Sequence, residues 1–116
     1  MKVKVSELTS PILDWAVAEC EGINLFETEG WIYMDGTRAV FRPTTDWRQG
    51  GLIIEREWLE VKPWPNESDE DTRWQAKSYD TLMPTWATGP TPLIAAMRCY
   101  VASKLGDEIE VPDGLL

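Results

Sequence analysis

Twenty acidic side chains, two cysteines and no histidine bound the chemistry open to this chain. Without histidine the commonest general base and neutral metal ligand is gone, and with it every Ser–His or Cys–His nucleophile pair. Cys20 and Cys99 are too few and too far apart for a zinc motif or a disulfide framework. Both fall on stretches expected to be helical, which reads as ordinary packed thiols. Glu67, Asp69, Glu70 and Asp71 crowd one polar stretch, but it lacks the turn glycine and the terminal bidentate glutamate of a calcium loop. A solvated turn is the plainer reading. Glu55, Arg56 and Glu57 read as surface charges with local pairing. Gly50-Gly51 is followed by no Lys-Ser or Lys-Thr and is not a phosphate loop. No catalytic residue, metal or cofactor is expected.

What remains is anion binding and aromatic anchoring. Helix starts expose N–H groups that hold anions, and two are expected, at Thr44-Thr45-Asp46 and at Thr91. With Trp47 to stack on a base and Arg56 or Arg98 to neutralise charge, these residues form the candidate ligand-binding set for a small anionic, nucleotide-type ligand. The plainer role for each start is capping its own helix. Seven tryptophans in 116 residues are the most unusual feature. Trp15, Trp31 and Trp74 fit core positions. Trp47, Trp58, Trp64 and Trp86 sit near turns or element ends, where an exposed indole serves as an interface anchor.

The elements that position these groups follow from local rules. Ser10 is expected to cap a helix from Pro11 to Glu21, stopped by Gly22. Residues 31–34 and 37–41 read as short extended pieces about an Asp35-Gly36 turn. A helix is expected from about Asp46 to Glu57, with Thr44 or Thr45 as cap. Trp58–Trp64 reads as a strand limited by Pro63, and Arg73–Tyr79 as a second, alternating one. Thr91 capping Pro92 opens the last helix, with Ile94, Met97, Val101 and Leu105 on one face, and Gly106 closes it. Met1–Val5 alternates briefly, and the acidic tail 107–116 is extended, with Ile109 and Val111 able to dock. The pattern predicts an α+β fold: one small α/β sandwich domain over 1–116, an antiparallel sheet packed with about three helices. An acidic turn lies at 65–72.

A net charge of −9 argues against duplex nucleic acid and anionic membrane surfaces as partners. The chain shows neither an apolar run of spanning length nor a signal sequence, and a cytoplasmic location is expected.

Leu13-Asp14-Trp15-Ala16-Val17-Ala18, Thr45-Asp46-Trp47, Gln49-Gly50-Gly51 and Ile53-Ile54-Glu55-Arg56-Glu57 resemble the NinX-type phage proteins of unknown function (domain of unknown function 2591). So do Gly89-Pro90-Thr91-Pro92-Leu93-Ile94-Ala95-Ala96-Met97-Arg98 and Tyr100 to Glu108. A looser likeness reaches the phage α-β-α sandwich proteins, through Thr44-Thr45-Asp46, Trp74-Gln75-Ala76 and Thr91-Pro92. The resemblance implies a phage or prophage accessory protein in the host cytoplasm and carries over no catalytic residues. The first expectation is therefore a non-enzymatic protein that binds a host or phage protein, an acidic surface suiting a basic partner. The alternative is a nucleotide-type ligand binder, and a hydrolase without histidine comes third. A homodimer is compatible with a domain of this size.

Overall fold

The computed structural model describes residues 1–23, 25–28, 31–34, 40–64, 69–79 and 84–115. In chain order the elements are β1 (Lys2–Lys4), α1 (Ile12–Glu21), β2 (Leu25–Thr28), β3 (Trp31–Met34), α2 (Trp47–Glu57), β4 (Glu60–Pro63), β5 (Trp74–Ser78), β6 (Thr85–Gly89), α3 (Pro92–Leu105) and β7 (Glu108–Glu110). Single 3-10 turns lie at Val5–Glu7, Glu70–Thr72 and Asp113–Leu115. This is the expected α+β class.

The principal sheet has the order β4-β5-β6, antiparallel throughout, with Val61, Ala76 and Ala87 in one cross-strand row. That row faces α3, because Ala76 is fully buried and Val61 and Ala87 pack against the core. The residues that alternate with it, Lys62, Tyr79 and Trp86, stay exposed on the opposite face. Among the described residues the helices therefore lie on one side of the sheet, two layers rather than α-β-α.

α3 is the centre of the molecule, flanked by the sheet, α1 and α2. Thr91 Oγ1 accepts the Ile94 N–H at 3.1 Å, Pro92 follows, and Gly106 ends the helix, as the sequence predicts. The expected single apolar face does not hold. Residues 95–101 are all buried, while Leu105 is exposed. A helix covered on several sides must be apolar nearly all round.

Two helix starts differ from expectation. α1 begins at Ile12, with Pro11 at the cap position and no side chain capping it. The Ser10 hydroxyl is instead hydrogen-bonded to Thr44 Oγ1, so a tertiary partner has taken the local cap. At α2 the cap is Asp46 itself, whose Oδ1 accepts the Arg48 N–H at 2.9 Å. Thr44, expected there, is 2% exposed and its N–H donates to Asp14 Oδ1 at 2.9 Å.

Both α1 and α2 close with the same pair of backbone bonds. Ile23 N–H reaches the Ala18 carbonyl and Gly22 N–H that of Glu19; Leu59 reaches Ile54 and Trp58 reaches Glu55. This motif places its penultimate residue in the left-handed region, where glycine is favoured. Gly22 meets the requirement at φ 69°, but the second motif holds Trp58 at φ 56° with its side chain 82% exposed. The expected strand Trp58–Trp64 accordingly shrinks to Glu60–Pro63.

Three strands were not legible. β6 is the third strand of the sheet, β2 pairs with β3, and β7 pairs with β1 through Lys2↔Glu110 and Lys4↔Glu108. The extended piece 31–34 thus pairs with Leu25–Thr28. The Asp35-Gly36 turn, residues 37–39 and residues 65–68 of the acidic turn lie outside the described residues.

Candidate interaction surface

The anion-binding set does not converge on one place. Thr44, Thr45, Asp46 and Trp47 are contiguous, and Gly50 brings that turn against the start of α3. A Cβ on Gly50 would lie 2.3 Å from the Pro43 carbonyl oxygen and 2.7 Å from Leu93 Cδ2. Arg56, however, sits at the far end of α2, about 14 Å from Trp47 by helical rise, and Arg98 lies in the middle of α3. The groups are also engaged. Asp46 and Thr91 occupy N–H donors of their own helices, and the Thr44 amide and hydroxyl go to Asp14 and Ser10. Thr45 and Trp47 are exposed. Burial pushes the Asp14 carboxyl above its ordinary value, against hydrogen bonds from Thr44 and the nearby charge of Arg42.

Arg56 is exposed and locally paired through Glu57, as expected, but it also reaches a second helix. Its guanidinium forms a fork onto Glu21 of α1, Nη1 to Oε1 at 2.9 Å and Nη2 to Oε2 at 2.7 Å, while Nε donates to Glu57 at 2.9 Å. Tyr100 of α3 donates its hydroxyl to Glu21 at 2.5 Å, and Lys104 closes the ring on Glu57 at 3.0 Å. Burial alone would raise the Glu21 carboxyl, but the bonds from Arg56 and Tyr100 outweigh it and leave it below the ordinary glutamate value. Glu57 is lowered in the same way by Arg56 and Lys104. Burial and the Glu21 carboxylate raise the Tyr100 hydroxyl. Cys20 and Cys99 are pushed up to about 12, chiefly by burial, which leaves both as unreactive thiols.

Arg98 is more deeply committed. It is 2% exposed, with Nε on the Leu8 carbonyl and Nη1 on the Thr88 carbonyl, both at 2.9 Å, and a further pair of contacts to Asp71 at 3.2 and 3.3 Å. It ties the N-terminal segment and β6 to α3.

Beside it opens a cleft of about 210 Å³ between the N-terminal segment and β6. Val5, Ala87 and Ala102 supply its apolar lining, with Trp86 on the β6 side and Lys4, Ser6, Asp107 and Glu108 around it. Val5 N–H donates to the Asp107 carbonyl at 2.8 Å, and Lys4 stands opposite Glu108 in the β1–β7 ladder. These two contacts bring residues a hundred positions apart to one lip. Among the described residues the side chains of Ser6, Asp107 and Glu108 have no hydrogen-bond or ion-pair partner. Trp86, half exposed, has Lys77 Nζ 4.5 Å from its ring centroid, and Lys77 also lies 4.6 Å from Tyr79. The cleft therefore holds two uncommitted carboxylates, the exposed Lys4 ammonium and the buried, fully bonded Arg98 guanidinium, beside an indole that Lys77 already approaches. Of its lining residues the sequence singles out only Trp86 and Arg98, because no motif links Lys4 to Glu108.

The fold and these contacts can be set beside known proteins. A family profile described as Bacteriophage P22, NinX matches residues 4–104. The chain belongs to this NinX family. The match covers α1, α2, the whole principal sheet and α3 up to Lys104, and stops short of β7 and the carboxylates at positions 107 and 108. No curated protein matches the chain. Among the described residues no helix is long and apolar enough to cross a membrane, and no three potential ligand side chains form a metal-sized group.

Proposed function

We propose that this NinX-family chain is a phage- or prophage-encoded accessory protein without enzymatic activity. It acts in the host cytoplasm by binding a host or phage protein whose contacting segment is basic. The observation that carries this reading is the cleft beside β6, where Asp107 and Glu108 stand uncommitted next to a half-exposed indole. Aromatic and carboxylate groups together recognise Lys or Arg side chains, and a net charge of −9 steers a basic partner toward the surface. Pockets for a whole small molecule usually exceed roughly 300 Å³, so 210 Å³ fits a side chain of a larger partner better than a nucleotide. Thr44, Asp46, Arg56, Thr91 and Arg98, expected to hold a nucleotide, are engaged within the fold, which also favours the protein partner.

The test is quantitative capture from bacteria carrying the phage, comparing the wild-type chain with a double variant, Asp107→Asn with Glu108→Gln. A basic protein recovered in stoichiometric amount by the wild type, and lost with the double variant or at high salt, is the expected result. Equal recovery by both, or nothing above the control, overturns the reading.

A further inference from the structure

The two edges of the principal sheet are not equivalent. The pairing of Trp64 N–H with the Arg73 carbonyl, at 2.6 Å, directs the backbone groups of residue 73 toward β4. Because those groups alternate along a strand, Trp74, Ala76 and Ser78 direct theirs toward β6. Their partners Gly89, Ala87 and Thr85 therefore face β5, and Trp86 and Thr88 direct their N–H and C=O groups away from the sheet. The Thr88 carbonyl, which meets Arg98 rather than β5, agrees with this assignment.

By the same alternation the nitrogen of Pro63 lies on the outer edge of β4, where proline blunts an edge because it has no N–H to offer. β6 carries no proline on its outer edge, where the Thr88 carbonyl alone is taken, by Arg98. Its outward N–H groups, at Trp86 and Thr88, and the Trp86 carbonyl have no backbone partner among the described residues. They lie on the side of the cleft, whose opposite wall is the N-terminal segment.

From this geometry we infer that β6 is a docking edge for an extended, basic segment of the partner protein, which adds to the sheet as a fourth strand. The inference rests on the proposed function and names how the partner is held. Backbone pairing with Trp86 and Thr88 supplies register and affinity with little demand on sequence. Charge supplies the choice of segment. The incoming strand passes the Trp86 indole on one side and the Asp107 and Glu108 carboxylates on the other, which favours Lys or Arg at alternate positions and disfavours acidic segments. Arg98 holds the wall in place by fixing β6 and Leu8 to the same helix.

The probe is an end-capped, strand-length peptide of alternating lysine and valine, read by fluorescence anisotropy, with an alternating glutamate–valine peptide as control. Thr88→Pro removes one outward N–H while keeping the indole and the cleft carboxylates, and an edge strand tolerates it. The lysine peptide is expected to bind the wild type and to bind Thr88→Pro roughly tenfold more weakly, the value of one backbone hydrogen bond. The glutamate peptide, and the lysine peptide N-methylated at alternate residues, are expected not to bind. A second readout needs no variant: the Trp86 and Thr88 amides should gain hydrogen-exchange protection when the lysine peptide is added. Equal binding to Thr88→Pro, binding of the N-methylated peptide, or unchanged exchange at these amides overturns the strand-addition inference. Absence of any binding to the wild type also overturns it. If Thr88→Pro still captures the cellular partner that the wild type captures, the edge is not the contact and the protein-binding reading stands. If the wild type captures none, that reading itself fails.

Discussion

The seam between the three helices and the cleft beside β6 are built from similar residue types in opposite states. In the seam, Arg56, Glu21, Glu57, Tyr100 and Lys104 close a ring in which every charge has a partner from another element. In the cleft, Asp107 and Glu108 have none among the described residues, and the indole of Trp86 is half exposed. Pairing across elements converts charge into structure, since two long side chains are held and partly desolvated together. Charge left unpaired beside an aromatic ring contributes nothing to folding and is available to a partner. The difference separates the residues that hold the fold from those that can recognise something.

Substitutions should break the two regions in different ways, and the largest effect is expected at Arg98. Arg98→Met leaves the Leu8 and Thr88 carbonyls without their donor and Asp71 without its cation, and should cost about 3–5 kcal/mol in thermal or chemical unfolding. Gly50→Ala comes next, at about 1–3 kcal/mol, because the added Cβ meets the Pro43 backbone and the Leu93 side chain. Its neighbour is a control of opposite sign. A Cβ on Gly51 makes only an ordinary 3.7 Å contact with Trp47, so Gly51→Ala should stabilise by about 0.5–1 kcal/mol.

Glu21→Gln opens the seam and should cost about 1–2 kcal/mol at neutral pH. Glu21 also carries a pH signature. Its folded value lies below the ordinary 4.5, so its contribution is complete above pH 4.5 and is lost as pH falls through the folded value. The acid limb of an unfolding profile should therefore be shallower in Glu21→Gln. Asp14 works the other way, because a raised carboxyl favours the folded state below its ordinary 3.8 and loses that benefit as pH rises. Asp14→Asn should accordingly steepen the acid limb.

Smaller still is Trp58→Gly. The closing motif of α1 has Gly22 where α2 has Trp58, and an 82% exposed indole packs against little. Relief of the left-handed backbone should raise stability by about 0.5–1 kcal/mol. The smallest effect on folding is expected in the cleft. The double variant Asp107→Asn with Glu108→Gln should unfold within about 0.5 kcal/mol of the wild type, while losing the captured partner. A large loss of stability there would erase the distinction between the two regions.

Much of the helical framework was legible from neighbouring residues. Thr91-Pro92 and Gly106 delimit α3 because a cap, a fixed φ and a stop act within a single turn. Trp47, Trp58, Trp64 and Trp86 are exposed as expected from their positions at element ends. β6 was missed because a five-residue stretch ending in glycine carries little periodicity, and β7 because its partner β1 lies at the other end of the chain. One signal at Arg98 was available: an arginine surrounded by apolar residues on every helical face must be buried with partners. The cleft had no such signal.

The sequence by itself determined the fold class, the helix limits near their caps, the surface indoles and the NinX resemblance, since each depends on side chains within a few positions of one another. Only the tertiary structure decided which charges are spent. It moved Ser10 from its helix to Thr44, joined Arg56 to Glu21 of another helix, and buried Arg98. It also left Asp107 and Glu108 without partners among the described residues, beside the outer edge of β6. The reason is that a hydrogen bond or ion pair goes to whichever partner the packing brings within reach, and that is a property of distance in space rather than along the chain.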